Sequence, residues 1–129
     1  MSRVLAIDYG KKYIGLAFSD ENKKFSFPLK VIQNKKFPEV KKELREIIKE
    51  KNISEIVVGF PLTFKGEPHK IAKDILKFKE KLKKEFNLPV YREEERFTSA
   101  QAKRFHGKKT GNHAVAASFI LENYLNKIA

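Results

Sequence analysis

Apolar residues along this chain fall into two patterns. Short unbroken runs alternate with stretches in which an apolar residue returns every three or four positions. Val4 to Ile7 is a run closed by Asp8, Tyr9 and Gly10. Its length and its closing glycine predict a buried strand. Ile14 to Ser19 is a second run, Asp20-Glu21-Asn22-Lys23 is a polar turn, and Phe25 to Ile32 alternates as a third strand. Together these predict an antiparallel meander.

The helical pattern begins at Pro38, a residue suited to the first turn of a helix. Val40, Leu44, Ile47 and Ile48 then share one face, and Asn52 is a plausible stop. Ile56 to Val58 before Gly59 reads as a buried strand from its β-branched residues. Phe60 to Pro68 reads as a loop. Ile71, Ile75, Phe78, Leu82 and Phe86 define a second amphipathic helix, closed by Leu88-Pro89, and Val90 to Arg92 starts a fifth strand. Thr98 or Ser99 can cap a short helix over Ala100 to Phe105. After a basic loop over Gly107 to Asn112, Asn112 can cap a last helix with the face Ala117, Leu121, Tyr124 and Ile128.

The order is βββ-α-β-α-β-α-α. Strand–helix–strand units return as parallel strands through right-handed crossovers. The expected fold is therefore α/β, a mixed five-stranded sheet with an antiparallel meander plus parallel strands, flanked by helices. The 129 residues suit one domain over 1–129. The absence of cysteine excludes a disulfide framework, thiolate metal sites and a cysteine nucleophile. No long apolar run or leader pattern is visible, so no membrane contact and a cytoplasmic location are expected.

Charge changes the picture more. The chain carries 28 Lys+Arg against 16 Asp+Glu, a formal net charge of +12. Such an excess favours polyanions, nucleic acid above all. Lys/Glu enrichment with one Met and few Gln is also a thermophile habit. That habit adds Glu along with Lys and does not by itself leave the charge so far from zero.

Carboxylates are the candidates for chemistry. Of the three aspartates, Asp74 points away from its helix's apolar stripe and Asp20 sits in a turn. Asp8 instead ends an apolar strand, at the sheet edge where open α/β sheets place their sites. It could also simply cap the Gly10 turn. Glu93-Glu94-Glu95 repel one another unless a positive charge lies nearby. On a strand Glu93 and Glu95 share a face and Glu94 takes the other. A divalent cation shared with Asp8 would explain them, and so would a charged strand edge that discourages aggregation. His113 opens the last helix, whose N-terminus disfavours a protonated imidazole and favours a neutral, ligand-competent one.

Four motifs in order resemble the YqgF/RuvX family, RNase H-like proteins described as Holliday junction resolvases and as pre-16S rRNA nucleases. Ala6-Ile-Asp8-Tyr-Gly10-Lys-Lys12-Tyr-Ile-Gly15-Leu-Ala17 is similar to the family's opening strand and turn. Ile56-Val-Val-Gly59-Phe-Pro61-Leu62 with Gly66 resembles its central strand and loop. Glu94-Glu95-Arg96-Phe-Thr98-Ser99 stands where the family usually has Asp-Glu-Arg-Leu-Thr-Thr, and His113-Ala-Val-Ala116-Ala117 where it has Asp-x-x-Ala-Ala.

The resemblance implies an RNase H-like fold and phosphodiester hydrolysis with two divalent ions. Asp8 would bridge the ions, Glu95 would hold one, and His113 would be the outer ligand of the other. His113 is a departure, because the family has a third carboxylate there. Imidazole suits Mn²⁺ better than Mg²⁺, so Mn²⁺ is the expected preference. Lys11, Lys12, Arg96, Lys103, Arg104, Lys108 and Lys109 cluster around these motifs and would contact phosphates. Phe64 could stack on an unpaired base. The expected partner is a structured RNA precursor, with processing of the 5′ end of pre-16S rRNA favoured. Branched DNA is the alternative, and a nucleic-acid-binding protein impaired in catalysis is another. A phosphotransferase of the actin-like superfamily would need a second Asp-x-Gly strand, which the chain lacks.

Overall fold

Val4 to Ile7 is apolar without interruption because its strand is covered on both faces. Leu5 and Ile7 enter one core, Val4 and Ala6 the other, and all four are fully buried. The computed structural model describes residues 2–63, 65–96 and 111–129. Its elements run β1 (Arg3–Tyr9), β2 (Tyr13–Ser19), β3 (Ser26–Gln33), α1 (Phe37–Glu50), β4 (Ile53–Leu62), α2 (Ala72–Phe86), β5 (Val90–Arg96) and α3 (Gly111–Ile128). The strands form one sheet in the order β3-β2-β1-β4-β5. β1 and β2 are antiparallel, as are β2 and β3, while β4 is parallel to both β1 and β5. The mixed five-stranded sheet is as expected.

α1 and α2 cover one face of the sheet. Val40, Leu44 and Ile47 from α1 and Ile75, Phe78 and Leu82 from α2 join Leu5, Ile7, Ile14 and Leu16 there. Both helices end on a left-handed asparagine. Asn52 has φ 53° and Asn87 has φ 51°. Asparagine reaches that conformation more readily than other non-glycine residues, and it stops a helix cleanly. α3 covers the other face, where Ala117, Leu121 and Leu125 meet Val4, Ala6, Ala17 and Val57.

Three details differ from the sequence reading. β4 continues to Leu62 instead of giving way to a loop at Phe60. The β1–β4 register runs to Ile7–Val58, whereas the β4–β5 register runs on to Leu62–Arg96. Past Val58 the end of β4 keeps β5 on one side and loses β1 on the other, where Leu62 forms an isolated bridge with Pro68 and the His69 N–H donates to the Pro61 carbonyl. α3 starts at Gly111, so Asn112 lies inside the helix instead of capping it. Leu125, not Ile128, completes the buried face, and Ile128 is 47% exposed. The short helix expected over Ala100 to Phe105 falls outside the described residues. Among those described, no helix is long and apolar enough to cross a membrane.

Asp20 is a turn residue, as its setting suggested. Its Oδ1 accepts from the backbone N–H groups of Lys24 and Phe25, both at 2.8 Å. These bonds to the charged form hold its carboxyl below the usual range, the Phe25 bond most strongly.

Candidate active site

Strand parity sends Asp8 to the α3 face, behind Val4 and Ala6. It pairs in register with Gly15 of β2. The first turn of α3 packs onto this spot. A side chain on Gly15 would run into the His113 carbonyl and come within 2.7 Å of the Ala114 nitrogen. A methyl on Gly10 would lie 3.1 Å from His113 Cε1 and 2.6 Å from the Tyr13 carbonyl oxygen. These two glycines of the opening motif are thus room for a helix. They bring His113 Nδ1 to 3.0 Å from Asp8 Oδ2.

That contact reverses one expectation. The hydrogen bond to Asp8 raises His113 above its ordinary value, although partial burial pulls it down. A carboxylate in contact outweighs the helix N-terminus, whose partial charge is screened and diffuse. The site therefore shifts the ring toward protonation relative to a free histidine, opposite to the expected direction.

The Glu93–Glu95 cluster separates as strand parity predicts. Glu94 is exposed, while Glu93 and Glu95 turn toward α3. Glu93 is buried and accepts from Lys127 Nζ at 2.5 Å. Glu95 is half-buried, and its Oε1 accepts from Asn123 Nδ2 at 2.5 Å. Burial pushes the Glu95 carboxyl up, and the nearby Glu93 charge adds to this. The Asn123 bond and Lys127 oppose it. Asn123 and Lys127 were missed in the sequence. Their signal is a second stripe on α3, Ala116, Ile120, Asn123 and Lys127, at helical spacing beside the apolar one.

Glu93 is therefore a buried structural charge. Removing its partner leaves that charge uncompensated. Lys127→Met will destabilise the fold by about 2 kcal/mol, discounted for the exposure of the lysine. Lys41→Met, which breaks the Lys41–Glu85 pair, whose carboxylate is more exposed than Glu93, will cost less. Paired urea titrations check the difference, and equal costs would refute it.

Asp8 and Glu95 line one small cleft. Gly59, Phe60 and Pro61 form its floor, and Ala116, Phe119 and Ile120 its roof. Gly59 has no side chain, and Ile120 of the roof packs into the space this leaves. A methyl there would collide with the Ile120 side chain. Among the described residues, no three of His, Cys, Asp and Glu converge where one ion could bind them all. The structure places Asp8 and Glu95 on the walls of one cleft, and brings His113 into contact with Asp8. Lys11 and Lys12 stand exposed on the turn next to Asp8. Arg96 is placed by its backbone, opposite Leu62 at the end of β5. Lys103, Arg104, Lys108, Lys109 and Phe64 lie outside the described residues.

A carboxylate at the C-terminal end of the first strand and a second from the last strand thus line one cleft beneath a helix. The profile of the family described as "RuvX: Holliday junction resolvase" matches residues 2–127. This chain belongs to the RuvX family. A relative from Dictyoglomus turgidum named "Putative pre-16S rRNA nuclease" is 37% identical, over 98% of this chain and 96% of that protein. One of the same name from Caldanaerobacter subterraneus is 35% identical, over 96% of each. The fold is also that of more distant resolvases. Thermus thermophilus RuvC in complex with a Holliday junction substrate aligns with TM-score 0.61 at 13% identity, over 99% of this chain and 96% of that one. The Fowlpox virus resolvase, also with junction DNA, aligns with TM-score 0.54 at 8% identity, over 98% of each chain. This RuvX chain is thus a nuclease of RNase H-like fold, a hydrolase of phosphodiester bonds.

Proposed function

We propose that this RuvX protein cleaves structured RNA in the processing of the 5′ end of pre-16S rRNA, in the cytoplasm, as a single domain over residues 1–129. Its catalytic groups are Asp8, Glu95 and His113. The observation that carries this reading is that Asp8 and Glu95 line the same cleft. A hard ion takes one or two protein carboxylates and fills its shell with water and substrate phosphate. The donor set fits. Two carboxylate oxygen donors face a cleft whose remaining walls are mostly apolar. Mg²⁺ or Mn²⁺ held by Asp8 and Glu95 would supply an activated water and charge stabilisation at the leaving oxygen.

The chain's own groups do the rest. His113 takes the place of the family's third carboxylate. Its Nδ1 is engaged with Asp8, which fixes one oxygen of that carboxylate; Nε2 would donate to a phosphate oxygen while protonated, and would bind a metal ion only with loss of that proton. Lys11 and Lys12 lie on a turn that Asn34 anchors. Asn34 Nδ2 donates to the Gly10 carbonyl at 2.7 Å, and its backbone N–H donates to that of Lys12 at 2.9 Å. Two ammonium groups on a tethered turn beside Asp8 suit phosphates, which position a substrate without reading its sequence. Arg96, Lys103, Arg104, Lys108 and Lys109 extend the same role.

RNA is favoured over branched DNA by the name the full-length relatives carry. The family description and the resolvase fold support the second reading, a junction resolvase. Cleavage of a precursor 16S rRNA fragment and of a four-way DNA junction, each with Mn²⁺ and with Mg²⁺, tests both. RNA cleavage with Mn²⁺ more effective is the expected result. Preferential junction cleavage assigns the second reading. Binding with no cleavage of either makes the protein a catalytically impaired binder. Mg²⁺ at least as effective as Mn²⁺ overturns the role of His113 as a ligand.

A further inference from the structure

Asn123 lies one helical turn beyond the cleft's roof residues Phe119 and Ile120. Its amide donates to Oε1 of Glu95 at 2.5 Å. The neighbouring carboxylate on the same strand face, Glu93, is matched differently, by the ammonium of Lys127. The two partners suit different tasks. An ammonium neutralises a buried carboxylate and takes it out of use. An amide holds one oxygen of a carboxylate, leaves its charge intact, and leaves the second oxygen unclaimed.

Glutamate has three side-chain torsions and would sample many orientations in an open cleft. One donor on a helix removes most of that freedom. The donor stands on α3, the element that also carries His113 to Asp8. One rigid element therefore orients both walls of the cleft. Hydrogen bonds to metal-binding carboxylates act in this way, and losing one typically costs about 10–100-fold in metal affinity.

We propose that Asn123 is a positioning residue. Its amide fixes one oxygen of Glu95 so that the other faces Asp8 across the cleft, ready to bind a divalent cation. The proposal rests on the reading of Glu95 as a metal ligand.

The test is calorimetric titration of Mn²⁺ into the full-length protein without nucleic acid, at a temperature where every variant is folded. Asn123→Ala is expected to weaken Mn²⁺ binding about 10–100-fold. Asn123→Gln, which keeps the amide, is expected to recover part of the loss. Asn123→Leu, similar in size but without a donor, behaves as the alanine variant does and serves if that variant does not fold. Lys127→Met also perturbs α3, yet is expected to leave Mn²⁺ affinity unchanged or slightly tighter. Metal-free affinity for an RNA hairpin is expected to stay within about twofold of wild type in all four. Glu95→Gln separates the two ideas. Loss of Mn²⁺ binding in Glu95→Gln but not in Asn123→Ala overturns the positioning role alone. Unchanged binding in Glu95→Gln overturns the reading beneath it as well. Equal losses in Asn123→Ala and Lys127→Met would also refute the proposal, because they would show a general effect of disturbing the helix.

Discussion

Replacing Asp8 with Asn lowers cleavage by about 10³-fold or more while leaving the fold intact. The substitution keeps the size of the side chain and removes the charge on one wall of the cleft. Nucleic-acid affinity without metal stays near that of wild type, since Lys11 and Lys12 are untouched. A second readout accompanies the first. Asp8 raises the pKa of His113 in the folded protein, so Asp8→Asn moves the His113 titration, followed by NMR, down toward 6.5, its ordinary value. Stability shifts with it. A group whose folded value is raised contributes stability that is fully present below its unfolded value. That contribution is lost as pH rises through the folded value. The wild type therefore loses a small increment of stability as pH rises from about 6.5 through the folded value of His113, and the variant does not. Equal cleavage by wild type and Asp8→Asn would remove Asp8 from the mechanism. An unmoved His113 titration would deny the contact.

Gly15→Ala has the second large effect, although it adds a single methyl. That methyl would occupy the position of the His113 carbonyl, which is helix backbone and cannot rotate aside. α3 must lift from β2. The expected cost is about 3 kcal/mol, at the upper end for overpacking, or a fall in melting temperature of roughly 10 °C for a chain of this size. Activity at temperatures where the variant is folded falls too, because lifting the helix parts His113 from Asp8. Gly59→Ala is the control. Its added methyl meets the end of the Ile120 side chain, which has rotamers to move into, so its cost is nearer 1 kcal/mol. Thermal melts that rank Gly59→Ala as the more damaging would contradict this account of how α3 is seated.

The sequence made some of this legible. Unbroken apolar runs marked the strands, because a strand covered on both faces has no polar position to spare. Period-two parity set Glu94 apart from Glu93 and Glu95. Asp8 was marked by ending such a run. Parity could not separate Glu93 from Glu95, since it assigns a face and not a neighbour. Only α3, far along the chain, turns one into a buried structural charge and the other into a wall of the cleft. Gly15 was visible as part of a motif, yet its purpose was not, because a close approach between distant backbone segments leaves no periodic trace. The direction in which His113 is shifted was misjudged for the same reason. The helix that carries it was local information, and the carboxylate that dominates it lies 105 positions away.

α3 joins the chain's last segment to its first strand and its last strand at fixed points, through His113, Asn123 and Lys127. A helix turns by about 100° per residue. Deleting or inserting one residue between His113 and Asn123 would swing every later side chain a quarter-turn or more away from β5. No adjustment of rotamers could restore both ends. Point substitutions on the outer surface of this helix can accumulate freely, but its length between these contacts cannot drift. Over evolutionary time, insertions and deletions in this protein must fall elsewhere in the chain.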